Sequence, residues 1–207
     1  MFSYGKAVFI YIVVGENCAK PCANQSEKSR ILPFRFIHPC MSSQPILSAE
    51  QIRQKIRRIA FQIYENNFDE QAVVLVGIAG EGYVFAERLH DELRQIAPFT
   101  LTLLKISLDK SQMTQPATQL TGPTTNLTDK VVVILDDVLY TGRTLAFCLQ
   151  PFLNVLVRKL QVAVLVDRNH PRYPVAADYK GYELSTTLTE HVEVILSDAE
   201  KEGIYLR

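Results

Sequence analysis

Two adjacent carboxylates, Asp136 and Asp137, close the uncharged run Val131–Leu135, and a turn follows whose residues are Tyr140, Thr141, Gly142, Arg143 and Thr144. Backbone N–H groups in such a turn converge on an anion, and a phosphate is the natural guest where a helix begins. Gly142 lets the anion approach the backbone, Thr141 and Thr144 offer hydroxyl donors, and the dipole of a following helix adds positive potential. The two acids repel a phosphate unless they address another part of the same ligand, such as sugar hydroxyls or a magnesium ion. A ribose 5-phosphate meets both demands at once.

These groups need a strand and a helix to hold them. The run Val131–Leu135 reads as a strand at the centre of a sheet covered on both faces, because parallel strands are continuous apolar runs. The acids then sit at the strand's carboxyl end, the edge where open α/β sheets bind ligands. Around it the pattern alternates: strand AVVLVGI (72–78), a helix from Gly82 to Ile96, strand FTLTLLKISL (99–108), the strand at 131–135, a helix from Gly142 or Arg143, strand QVAVLV (161–166) and a late strand HVEVIL (191–196). Such alternation predicts an α/β fold with a mainly parallel central sheet flanked by helices. Upstream, Ser48 and Gln51 have capping-box spacing, and Ile52, Ile56, Ile59 and Ile63 form the apolar stripe of a helix. The polar connection from Asp109 to Asp129 is too long for a plain connector, which points to a functional lid or a disordered segment.

The chain has 207 residues with 47% hydrophobic and 21% charged side chains, the composition of an ordinary globular domain. Lys plus Arg and Asp plus Glu both number 22, so no global basic field advertises RNA. No apolar stretch has the roughly 18 residues of a spanning helix, so no membrane partner is expected and a cytoplasmic location is. Cys18, Cys22 and Cys40 lie in the first 40 residues, but no second pair completes a metal site there; Cys148 reads as a small buried hydrophobe. Residues 1–40 lack a sustained period after Gly15. They read as an extension outside the domain, disordered or wrongly included, with Met41 the true start and 41–207 the domain.

The stretch VVVILDDVLYTGRT (131–144) resembles the phosphoribosyl-diphosphate motif of type I phosphoribosyltransferases. VLVGIAGEGYVFAERL (74–89) resembles their diphosphate-loop strand and helix. VLVDRNHPRYPVAADYKGYEL (164–184) is similar to the late segment of the PyrR branch, the bifunctional pyrimidine-operon attenuators and uracil phosphoribosyltransferases. The resemblance covers about residues 48–207. It implies the type I fold with a small hood formed by the late segment, a homo-oligomer, and transfer of ribose 5-phosphate from phosphoribosyl diphosphate to a nucleobase, uracil before others, with Mg2+ as cofactor. Asp136 and Asp137 would hold the ribose hydroxyls, directly or through the metal. Tyr140, Thr141, Gly142, Arg143 and Thr144 would hold the 5-phosphate; Ile78, Ala79, Gly80, Glu81 and Gly82 would receive the diphosphate; Asp167, Arg168 and His170 would line the base pocket.

The resemblance also implies alternatives, an RNA-binding pyrimidine regulator or a phosphoribosyl-binding relative with little catalysis. Purine enzymes of this class carry an acid where Tyr140 stands, which favours a pyrimidine. Ala79 and Glu81 replace the basic residues expected in the diphosphate loop, and Asn169 and Pro171 replace Gly and Arg. A carboxylate at position 81 facing diphosphate would weaken binding, so Glu81→Arg is expected to tighten it by roughly 1 to 2 kcal/mol.

Overall fold

The computed structural model describes residues 45–108, 118–123, 126–186 and 190–207, all within the compact unit Met41–Arg207. The expectations for residues 1–40 and for Met41 fall outside the described residues. The elements run β1 (Leu47–Ser48), α1 (Ala49–Asn66), β2 (Ala72–Ile78), α2 (Glu81–Ile96), β3 (Thr100–Leu108), β4 (Thr118–Thr121), β5 (Val131–Leu139), α3 (Arg143–Leu153), β6 (Lys159–Asp167), β7 (Tyr179–Glu183), β8 (Val192–Ile195) and β9 (Gly203–Leu206).

Six strands form the main sheet in the order β4-β3-β2-β5-β6-β7, parallel throughout except for the antiparallel edge pair β3–β4. Because the side-chain period of a strand is two, its apolar runs feed two cores. Val73, Leu75, Val131, Val133, Leu135, Ala163 and Leu165 face α1 and α2. Val74, Val76, Val132, Ile134, Val162 and Val164 pack with Leu145, Cys148 and Phe152 of α3. The α1 stripe is buried as its spacing predicts, with Ile52, Ile56, Ile59 and Ile63 at 2% exposure or less. Each such side chain contributes about 1.5 to 3 kcal/mol of transfer free energy. At the helix start Gln51 N–H donates to Ser48 Oγ at 3.4 Å and Ser48 N–H to Gln51 Oε1 at 2.9 Å, closing the capping box.

The hood is a separate antiparallel sheet of order β1-β9-β8, so the late segment shares it with the two residues ahead of α1. Several short strands escape sequence reading. Part of the Asp109–Asp129 connection is the edge strand β4, where Thr118 to Thr121 pair with Leu108 to Lys105; residues 109–117 lie outside the described residues. Strand β7 adds the far edge beside β6, and β5 runs four residues beyond Leu135. Asp136 and Asp137 therefore belong to the last turns of the strand ladder instead of following it; Asp136 pairs with Val164.

Connectivity decides where a ligand fits. From β2 the chain crosses through α2 to β3 on one side, and from β5 it crosses through α3 to β6 on the other, with the two helices on opposite faces. The loops leaving β2 and β5 diverge at this switch point, opening a crevice at the carboxyl edge between them.

Candidate active site

Both helices that start at this crevice begin on a glycine with no side-chain cap. Gly80 precedes α2 at φ 105° and ψ −144°, a region glycine alone occupies freely, and Gly142 precedes α3 in the left-handed region at φ 80°. The helix away from the crevice, α1, has its first donors capped by its own side chains. A helix start whose cap residue brings no side chain is where an anionic ligand can approach the first turn.

The turn after β5 bounds a small cleft of about 150 Å³ whose walls include Asp136 and the run Tyr140 to Leu145. Thr141 Oγ1 accepts from Arg143 N–H at 3.4 Å, and Thr141 O accepts from Arg172 N–H and Tyr173 N–H, both at 3.0 Å. The segment after β6 thus fastens the turn from outside. A side chain at Gly142 would point at Tyr173 and Val175, 3.5 Å away, in ordinary contact. The glycine is required there by its backbone angle; Tyr173 and Val175 are what a side chain at this position would meet.

Asp136 is buried, 7% exposed, and its Oδ1 accepts the Asp137 N–H at 3.1 Å. Asp137 is half-buried and lies outside the cleft walls. Beneath them Cys148 is buried as expected; burial first, and the negative charge of Asp136 second, push its thiol up to about 12. The two loops meet through Gly82. A Cβ there would lie 3.2 Å from both Asp136 Cα and Asp136 Oδ1 and 3.3 Å from Leu135 O, so glycine lets the first turn of α2 rest on Asp136 without displacing either by a few tenths of an ångström. Gly77 does the same one step back, where a Cβ would fall 2.8 Å from Ala86 Cβ and 2.9 Å from Tyr83 Cα.

Of the expected diphosphate loop, Ala79 is half-buried and Gly80 exposed at the crevice, whereas Ile78 is a core residue at 4% exposure packed on the α3 side. Glu81 departs from expectation. Its Oε2 accepts Leu196 N–H at 2.7 Å and Ser197 N–H at 3.1 Å, and its Oε1 accepts the Ser197 hydroxyl at 2.6 Å. The carboxylate is turned to the hood and satisfied there.

Around the other end of the crevice Arg168, 3% exposed, lies with its guanidinium carbon 3.9 Å from the centre of the Tyr140 ring. It donates to Thr186 Oγ1 at 2.9 and 2.7 Å and to Glu190 O at 2.7 Å. The Tyr140 and His170 rings lie 6.1 Å apart and 17° from parallel. Arg168, Tyr140 and His170 form one cluster, and Asp167 does not join it. Its Oδ2 meets Lys180 Nζ at 2.7 Å and its Oδ1 accepts Asn169 N–H at 2.8 Å, and the Lys180 ammonium is held above its usual range by Asp167 first and Glu183 second. Asn169 has φ 53°, a left-handed conformation that Asn tolerates and that glycine, the residue expected there by resemblance, adopts freely. Sequence reading misses Arg88, Thr186 and Ser197, whose partners lie 18 to 116 positions away in the chain.

A family model described as phosphoribosyl transferase domain matches residues 42–197. The chain belongs to the type I phosphoribosyltransferase family. Within that family it is 34% identical over 169 residues to the bifunctional protein PyrR of Enterococcus faecalis, covering 79% of this chain and 94% of the relative. It is 37% identical over 164 residues to the bifunctional protein PyrR of Pelotomaculum thermopropionicum, covering 76% and 91%. Its fold is that of a Trypanosoma cruzi hypoxanthine phosphoribosyl transferase, with TM-score 0.65 at 19% identity over 79% of this chain and 90% of the other. A hypoxanthine-guanine phosphoribosyltransferase from Bacillus anthracis has the same fold, with TM-score 0.56 at 23% identity, covering 68% and 80%. These structures establish a mainly parallel sheet flanked by helices as the family architecture for this chain. Among the described residues no helix is long and apolar enough to cross a membrane.

Proposed function

We propose that this phosphoribosyltransferase moves ribose 5-phosphate from phosphoribosyl diphosphate to a pyrimidine base, uracil in the first place, releasing diphosphate. The observation that carries the reading is the contact of Gly82 with Asp136, which joins two helix starts that begin on glycine and a buried carboxylate in one crevice. The 5-phosphate takes the Thr141 to Thr144 turn, the diphosphate takes the N–H groups of Gly80 to Gly82, and the sugar between them meets Asp136 and Asp137. As the bond to diphosphate breaks, the sugar becomes cation-like, and the carboxylates stabilise that charge without forming a covalent bond. Binding both phosphate ends fixes the sugar for attack by the base nitrogen, so positioning supplies much of the rate.

Tyr140, where purine enzymes of the class carry an acid, is covered by Arg168 and stacked with His170. Arg168 is buried and engaged with Thr186 and Glu190, so Tyr140 and His170 are the members of this cluster that can face a planar base. Magnesium takes hard oxygen ligands and keeps several waters, and it is held by one or two carboxylates together with substrate phosphates. Asp136 and Asp137 fit that role, and among the described residues no group of three or more His, Cys, Asp or Glu could hold an ion alone. When bound, the metal would neutralise charge on the departing diphosphate. The expected result is diphosphate release from phosphoribosyl diphosphate, magnesium and uracil, with less for the purine bases; no release with any nucleobase would overturn the reading.

The exposed side of α1 favours a second role in RNA binding, because Arg53, Arg57 and Arg58 are all exposed there. Arg58 is already engaged with the carbonyls of Lys180 and Gly181 at 2.8 Å, leaving a narrow basic strip. RNA affinity that falls steeply with salt would support this role.

A further inference from the structure

We propose that Glu81 is a positioning residue for the diphosphate side of the site, acting by latching the first turn of α2 to the hood. The inference rests on the reading of residues 78–82 as the diphosphate loop and says how this chain holds that loop without a basic side chain in it. Glu81 grips the N–H groups of Leu196 and Ser197 and the Ser197 hydroxyl. Arg88 lies seven residues on, two turns along the same face of α2. It donates to Leu196 O at 2.7 Å and pairs with Glu202. Both backbone polar groups of Leu196, itself 2% exposed, are therefore held by one helix.

The latch closes on the turn between β8 and β9, and it does so from the residue between Gly80 and Gly82. Gly80 sits in a conformation with nothing within 4 Å of where a side chain would be, and Gly82 rests on Asp136. Gly80 leaves the loop free to deform at its exposed end, so Glu81 fixed to the hood, together with Gly82 packed on Asp136, is what holds the intervening N–H groups in place. Position 81 is thereby committed to the hood, where three donors hold its carboxylate turned to Leu196 and Ser197 before any diphosphate arrives. The latch makes the backbone, in place of a basic side chain, the diphosphate-binding element.

The test uses the full chain carrying Glu81→Ala, Glu81→Gln and the milder Ser197→Ala. The readouts are amide hydrogen exchange at Leu196 and Ser197, phosphoribosyl diphosphate binding by calorimetry, and separate KM values for phosphoribosyl diphosphate and uracil. Glu81→Ala is expected to lower protection of both amides and raise the phosphoribosyl diphosphate KM by about tenfold, the scale of a sub-ångström displacement, with the uracil KM changed less than about twofold. Glu81→Gln, which keeps an acceptor oxygen, should recover most of both effects, and Ser197→Ala should show a smaller change of the same kind even if Glu81→Ala does not fold. An unchanged phosphoribosyl diphosphate KM in Glu81→Ala, an equal rise in both KM values, or tighter diphosphate binding would each overturn the proposal while leaving the loop assignment standing. Failure of the wild-type chain to bind phosphoribosyl diphosphate would remove the loop assignment and the latch together.

Discussion

Replacing Gly82 by Ala adds one methyl group at the junction of α2 and the acids. That carbon would stand 3.2 Å from Asp136 Cα and Oδ1 and 3.3 Å from Leu135 O. Carbon prefers such neighbours at about 3.5 to 4.0 Å, so the helix start or the strand end must give by a few tenths of an ångström. Overpacking of this kind costs about 1 to 3 kcal/mol. Alanine in place of glycine inside a helix returns about 1 kcal/mol, leaving a net loss of about 0 to 2 kcal/mol. For a domain of this size each kcal/mol lowers the melting temperature by about 2 to 4 °C, so the variant should melt no more than about 8 °C below wild type and remain folded at 25 °C. Activity should fall further than stability, because the displaced atoms are Asp136 and the diphosphate loop; about tenfold in kcat is expected where a 1 Å error costs about 10². Denaturant unfolding and diphosphate release measured on the same preparation separate the two effects. A variant with wild-type kcat and a normal phosphoribosyl diphosphate KM would refute the claim that close approach at Gly82 sets the site.

Asp136→Asn and Asp137→Asn should each fold and lose about 10² or more in turnover, the scale of a lost transition-state contact; steady-state kinetics decide it, and normal rates would exclude the acids from catalysis. Gly142→Val should lose about 1 to 3 kcal/mol through backbone strain at φ 80°, seen in denaturant melts, with ribose 5-phosphate affinity falling because the turn distorts. Glu81→Arg, expected from sequence to tighten phosphoribosyl diphosphate binding, should weaken it in calorimetry, because it deletes three acceptor contacts to the hood. Cys148 has its folded-state thiol raised, so the folded chain holds that proton more tightly than the unfolded one. Its contribution to stability is complete below the ordinary thiol range and is lost as pH climbs toward about 12. Cys148→Ala should flatten that alkaline limb in melts across pH 8 to 11, and an unaltered slope would show that other groups cause it.

The uninterrupted apolar runs at 72–78 and 131–135, the isoleucine period of α1 and the acid-to-Thr-Gly transition were legible in the sequence, because each rests on local periodicity or on the chemistry of adjacent residues. The capping box at Ser48 and Gln51 was legible for the same reason, spanning only three positions. Strands β4, β7 and β9 were not, since four or five residues are too few to carry a clear hydrophobic period in sequence and form only where a neighbouring edge offers partners. The continuation of β5 through two acids was hidden by composition, because carboxylates at a sheet's ligand edge are tolerated by the site they serve and run against strand propensity. Asp167 and Glu81 show the sharper limit. Residue type marked both as charges near a ligand, yet Lys180 claims one and the Leu196–Ser197 backbone claims the other. Which partner holds a charged group depends on what the fold carries to within 3 Å of it, and for Glu81 that partner lies 115 residues away.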